Sequence, residues 1–168
     1  TIEDERGNQL EMRCPSIILF VGPSEKGKTY LLRHILLSMW SQNYFKFGIA
    51  MIPNTKLNAD YDYILNRTTV YDHDFDVVLE NYMDYLKTFY PCPPPNYIIM
   101  EDIIGKMPQY KNLFEHFISS SRHYNTTVFL TTQFIMRAST LFREQTRFGF
   151  IFQPQGRNSM KHVYDIFC

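Results

Sequence analysis

Ser16-Ile17-Ile18-Leu19-Phe20-Val21-Gly22-Pro23-Ser24-Glu25-Lys26-Gly27-Lys28-Thr29 is the stretch that decides how this chain folds. The run 16–21 is short and almost wholly apolar, which fits a strand buried on both faces of a parallel sheet. It leads straight into a glycine-bounded loop, and a helix is expected at once, from Lys28 to about Met39. Gly22 to Thr29 matches G-x-x-x-x-G-K-[ST] between strand and helix, the context in which that spacing cradles phosphate.

The chemistry follows from the residue types. Glycines let the backbone close around phosphate oxygens, while main-chain N–H groups and the helix N-terminus supply positive potential. Gly22, Pro23, Ser24, Glu25, Lys26, Gly27, Lys28, Thr29 and Tyr30 are therefore the expected contacts of a nucleotide, with ATP as the ligand. The Lys28 ammonium is expected to reach the β- and γ-phosphates. The Thr29 hydroxyl is expected to ligate Mg2+, which bridges the same two phosphates.

Composition sets the frame around this loop. A chain of 168 residues with 45% hydrophobic content can build one core, so a single domain is expected over 1–168: a polar segment 1–15, a core 16–153, and the start of a C-terminal helix in 154–168. The chain starts without methionine and stops within that amphipathic stretch from Ser159, so it reads as a piece of a longer protein. Lys plus Arg and Asp plus Glu number 17 each, which argues against a strongly basic nucleic-acid binder or a membrane-surface protein. Cys14, Cys92 and Cys168 are odd in number and far apart, which fits neither a disulfide framework nor a zinc site and points to a reducing compartment. No apolar run approaches the roughly 18 residues that span a bilayer. The 14 Phe and 12 Tyr fall mostly at strand or helix spacing and read as core.

Further elements are expected in alternation. Strands are placed at Phe45 to Ile52, Thr68 to Tyr71, Asn96 to Met100, Thr126 to Thr131 and Arg147 to Phe152. Helices are placed at Asp74 to Tyr90, with Asp74 as N-cap and the proline run from Pro91 as terminator, and at Pro108 to Tyr124. Alternation of this kind implies βαβ units: an α/β fold of three layers, with a mostly parallel central sheet flanked by helices and ligands beyond the carboxyl ends of the strands.

Two motifs fall at such ends. Tyr97-Ile98-Ile99-Met100-Glu101-Asp102 is an apolar strand ending in two carboxylates, where a magnesium ligand and a water-activating base are needed. The usual order is Asp then Glu. Here Glu101 takes the metal-side position and Asp102 the base position, and the residues alone leave the division of roles open. Asp102-Ile103-Ile104-Gly105 also fits the D-x-x-G of GTPases, but guanine selection by [NT]-K-x-D is missing after it. Thr55-Lys56-Leu57-Asn58 precedes Asp102 and lacks the aspartate, so ATP is preferred. Thr126 to Thr132 then leads into Gln133, whose amide can orient the attacking water or sense the γ-phosphate. His116 and His123 lie seven apart, without the spacing of a metal pair, and read as solvated or core histidines.

Ser121-Arg122-His123-Tyr124-Asn125-Thr126-Thr127, running into Leu130-Thr131-Thr132-Gln133, resembles viral genome-packaging ATPases of the FtsK–HerA superfamily, as found in large DNA viruses and virophages. The resemblance spans roughly 17–153. It implies a RecA-like P-loop NTPase, Lys28 and Thr29 on phosphate and magnesium, Glu101 and Asp102 as the Walker B pair, and Gln133 as polar sensor. It further implies a homo-oligomeric ring, a pentamer or hexamer, that moves double-stranded DNA, engages viral capsid vertex proteins, and works in the host cytoplasm or the virion. Such rings set an arginine against the neighbour's γ-phosphate. Arg143, Arg147 and Arg157 are the candidates, with Arg143 and Arg147 leading, and each also reads as an ordinary surface arginine. A small phosphotransferase such as a nucleotide kinase, or a non-translocating nucleotide-binding module, is the alternative. A kinase would need an arginine-rich lid, and no concentrated lid segment is visible in the sequence.

Overall fold

A computed structural model of the protein describes residues 2, 3, 9, 10, 14–53, 63, 67–89, 91–103, 110–133, 140–152 and 161. Two short strands, β1 (Ile2–Glu3) and β2 (Gln9–Leu10), pair antiparallel within the segment read as merely polar. The main body follows as β3 (Ile17–Val21), α1 (Lys28–Ser41), β4 (Phe47–Met51), β5 (Thr69–Tyr71), α2 (Phe75–Lys87), β6 (Asn96–Glu101), α3 (Lys111–Ser120), β7 (Thr126–Thr132), α4 (Thr140–Gln145) and β8 (Thr146–Ile151). Six strands form one sheet in the order β5-β4-β6-β7-β3-β8, and every pairing in it is parallel.

Alternation along each strand divides the interior into two cores. Ile18, Phe20, Ala50, Ile99 and Phe129 face α1, where Leu32, Ile35, Leu36 and Trp40 cover them. Leu19, Met51, Ile98, Met100, Val128 and Leu130 face the other way, under Leu79 and Leu86 of α2, Phe117 and Ile118 of α3, and Phe142 of α4. The four inner strands are thus buried almost from end to end because both of their faces are covered. The outermost strand β8 alternates between partly buried and exposed residues.

Tight packing between β4 and β6 shows why Gly48 has no side chain. A Cβ there would lie 2.4 Å from the ring of Tyr97. That ring packs against Phe45 at 4.9 Å and Trp40 at 6.0 Å between centroids, and its hydroxyl pairs with that of Thr68. Burial pushes the Tyr97 phenol up to about 12, so it stays neutral in the core. At the amino end of β6, buried Asn96 is satisfied on both sides. Its Oδ1 accepts from Tyr82 at 2.9 Å and Thr126 at 2.7 Å, and its Nδ2 donates to the Tyr124 carbonyl at 2.8 Å. Asn125 Nδ2 donates to the Pro93 carbonyl at 3.1 Å, which docks the segment before β7 on the proline loop that precedes β6.

Several expectations shift in detail. The helix placed over 108–124 is α3, ending at Ser120, because residues 121–125 form turns with Asn125 at positive φ. Asp74 precedes α2 but makes no side-chain cap hydrogen bond. Its carboxylate instead lies 3.6 Å from His73. α2 ends at Lys87, ahead of the prolines, where the Thr88 hydroxyl bonds the Tyr85 carbonyl at 2.7 Å. α4 was not anticipated. The stretch Thr55–Asn58, Gly105, Arg157 and Cys168 lie outside the described residues, as does the helix expected from Ser159, apart from helical Lys161.

Gly48→Ala is expected to destabilise the protein by about 1–3 kcal/mol, since an added methyl must displace the Tyr97 ring from a filled core. Urea denaturation checks this, and an unchanged midpoint would contradict the packing described.

Candidate functional site

Register sets the site at one edge of the sheet. Val21 pairs with Thr132 and Glu101 pairs with Thr131, so the carboxyl ends of β3, β7 and β6 lie side by side. The Gly22 N–H continues the ladder to the Thr132 carbonyl at 3.1 Å, and the Asp102 N–H reaches the Thr131 carbonyl at 3.0 Å. Residues far apart in sequence, Gly22 to Thr29, Glu101 with Asp102, and Gln133, thereby share one lip, as the motifs predicted.

The loop has the backbone expected of an anion cradle. Gly22, Glu25 and Gly27 all take positive φ, at 157°, 61° and 92°. Gly27 is the N-cap of α1, and its carbonyl accepts from the Leu31 N–H at 2.9 Å. The first turn of α1 carries no acidic residue, so nothing there offsets the positive end of the helix dipole. The Lys28 side chain is buried, and its Nζ donates to the carbonyls of Gly22 and Pro23, both at 2.6 Å. These bonds hold the ammonium inside the curve of the loop. Ser24, Glu25 and Lys26 are exposed. Tyr30 is 68% exposed, its ring edge-on to His34 at 4.3 Å.

Phe152, just past β8, is a contact the sequence reading did not single out for this role. Its N–H bonds the Val21 carbonyl at 2.8 Å, and a Cβ on Gly22 would lie 2.6 Å from its carbonyl oxygen. The loop therefore rests on the end of β8, and glycine at position 22 is required by that close approach.

The two carboxylates differ in setting. Glu101 ends β6, is buried, and accepts a hydrogen bond from the Thr131 hydroxyl on β7. Asp102 has left the strand at φ 49°. Its Oδ2 accepts from the Gln133 side-chain amide at 3.0 Å, while its buried Oδ1 has no hydrogen-bond partner among the described residues. A buried carboxylate oxygen in that condition is unusual, and water, an ion or a ligand can satisfy it.

Arg143 and Arg147 lie elsewhere. Thr146 pairs with Ile17 and Ile151 with Val21, so Arg147 sits near the amino end of β3, roughly 13 Å along the strand from the phosphate-loop end. Arg143 donates to the Thr140 hydroxyl at 3.1 Å. Neither is brought to the phosphate loop of its own chain. His116 and His123 are both exposed.

A parallel sheet between helical layers, with a glycine-bounded loop and a helix N-terminus beyond an inner strand, is the RecA-like P-loop NTPase fold. Solved structures carry the same fold. The genome packaging NTPase B204 of Sulfolobus turreted icosahedral virus 2, in complex with sulfate, superposes with a TM-score of 0.73 at 17% identity, over 93% of this chain and 82% of that one. Its complex with ATP-gammaS gives 0.72 at 16% identity, over 93% and 83%. The cytoplasmic domain of EssC gives 0.74 at 10% identity, over 96% of this chain and 38% of that one. By sequence, the chain is similar to an uncharacterized ATP-binding protein of Methanocaldococcus jannaschii, 26% identical over 121 residues, covering 71% of this chain. It spans about a third of that relative's length, 33%. No protein-family model matches. Neighbours of the packaging-ATPase kind are those the motif resemblance led one to expect.

Proposed function

We propose that this chain is the ATPase domain of a genome-packaging motor of FtsK–HerA type, hydrolysing ATP to move double-stranded DNA into a capsid as a pentameric or hexameric ring. The observation that carries the hydrolase reading is Asp102 at the lip of the phosphate loop, one oxygen held by Gln133 and the other buried without a partner among the described residues.

The donor set suits magnesium. A hydroxyl and carboxylates are hard oxygen ligands, and among the described residues no cluster of three His, Cys, Asp or Glu could hold a metal by itself. Mg2+ commonly completes its shell with substrate phosphates and water. Thr29 and Glu101 would hold it, and when bound it supplies charge neutralisation at the β- and γ-phosphates.

The residues of the chain do the rest. Backbone N–H groups of the loop and the Lys28 ammonium bind the phosphates and stabilise charge as the γ-phosphoryl departs. Asp102 Oδ1 takes the proton of the water that attacks phosphorus, the bond to the β–γ bridging oxygen breaks, and ADP and phosphate result. Gln133 orients Asp102. Arg143 and Arg147 are remote from their own loop, and the proposal assigns an arginine of this part of the chain to another subunit's site.

DNA as the moved polymer, capsid vertex proteins as partners, and the host cytoplasm or virion as location are supported by the sequence resemblance and by the likeness to a structure described as a genome packaging NTPase. Among the described residues no helix is long and apolar enough to cross a membrane.

Phosphate release with and without double-stranded DNA, measured beside the mass in solution, tests the proposal. Stimulation by DNA and a ring-sized mass are expected. Asp102→Asn is expected to lower kcat about 10²- to 10³-fold while leaving ATP binding intact. Phosphoryl transfer only to a nucleotide acceptor, or full activity in Asp102→Asn, would refute the reading.

A further inference from the structure

We infer that Thr131 is a positioning residue for this site, its hydroxyl fixing which of the two adjacent carboxylates stays in the strand and which turns out toward the phosphate loop. The inference rests on the hydrolase reading above and goes beyond it by dividing the roles of Glu101 and Asp102.

Thr131 lies on β7, the strand between the loop strand and the carboxylate strand, with Phe20 opposite it on one side and Glu101 on the other. It is completely buried. A hydroxyl has one proton to give and can accept as well. Toward an ionised Glu101 it can only donate, and its partner there is Oε2. Having donated, it accepts from the Asp102 N–H at 3.2 Å, a proton shared with the Thr131 carbonyl at 3.0 Å.

These contacts act on both carboxylates. Glu101 is tied sideways to β7, within the layer that α1 covers, as suits a fixed ligand. The Asp102 amide is drawn onto the same residue while its backbone adopts the left-handed conformation at φ 49°. That turn carries the Asp102 side chain out of the strand's alternation and onto Gln133, two residues beyond Thr131, leaving Oδ1 as the oxygen without a partner among the described residues. A threonine suits the position better than serine would, because its β-branched side chain is stiff about χ1 in a strand. The inverted Glu-Asp order works here because a hydroxyl on the neighbouring strand engages both members.

A purely structural role, satisfying a buried carboxylate, makes a different prediction, so the test separates the two. Steady-state ATP hydrolysis is compared in the parent, Thr131→Val, Thr131→Ala and Thr131→Ser, each with a Mg2+ titration and a thermal melt. Val is expected to lower kcat about 10- to 100-fold and raise the Mg2+ needed for half-maximal rate about tenfold, as loss of a partner behind a metal ligand does. KM for ATP at saturating Mg2+ is expected to stay within about twofold, and Ser to recover most of kcat. Should Val fail to fold, Ala against Ser gives the same contrast. Parental kcat and Mg2+ dependence in Val or Ala, or a Ser variant as impaired as they are, would overturn the inference. If the parent does not turn over ATP, the hydrolase reading fails by itself. Calorimetric titration of Mg2+ with ATPγS then decides Thr131: a shift in Val absent from Ser supports positioning, and equal curves refute it.

Discussion

The continuous parallel ladder from β6 through β7 to β3 is the constraint on which the site depends. Its hydrogen bonds run past the strands at both joints, from Gly22 to Thr132 and from Asp102 to Thr131. Those bonds set the phosphate loop, the amide of Gln133 and the carboxylate pair at one level without any direct contact between loop and carboxylates being required. Because β7 intervenes, its polar end can touch Asp102 through Gln133 and Glu101 through Thr131. A change in the height of β7 would disturb both carboxylates at once.

Two apolar layers hold that ladder rigid. α1 grows out of the phosphate loop and lies on the face that carries Phe20, Ile99 and Phe129, directly beneath the row of Thr131 and Glu101. The opposite face is closed by α2, α3 and Phe142 of α4. The helix that grows out of the glycine-bounded loop is therefore also the cover of one core, with Leu32, Leu36 and Trp40 packed there. Phe152 supports the loop from the far side, so the cradle is braced by strand, helix and sheet end together.

Much of this was legible in the residues because burial on both faces leaves a plain mark. The runs around Leu19, Ile49 and Ile98 are apolar without alternation, that around Val128 is β-branched and apolar at its centre, and each lies within two residues of its expected bounds. The loop was legible for a different reason, since phosphate binding demands glycine, lysine and a hydroxyl at fixed spacing. What the sequence could not show was pairing. Nothing in Thr131 or Asp102 announces that they are neighbours across strands, and the placement of Phe152 against Gly22 depends on β8 lying next to β3. Helix ends were also misjudged where a local bond wins over pattern. Asp74 is the N-cap as expected, but its side chain lies against His73 and makes no cap bond, and Ser121 opens a run of turns inside a stretch that still looks helical. Arg143 and Arg147 were chosen for nearness to the last strand, but the register of that strand sets Arg147 toward the amino end of the sheet.

On the proposed function, the lip formed by β3, β7 and β6 is a nucleotide site gripped by the phosphate loop. Titration calorimetry of Mg·ATPγS into the parent chain and into Lys28→Ala tests it most directly. One site per chain is expected in the parent, and a loss of about 100-fold or more in affinity when the ammonium held at the Gly22 and Pro23 carbonyls is removed. Equal affinity in the two proteins would place the nucleotide elsewhere and contradict the account.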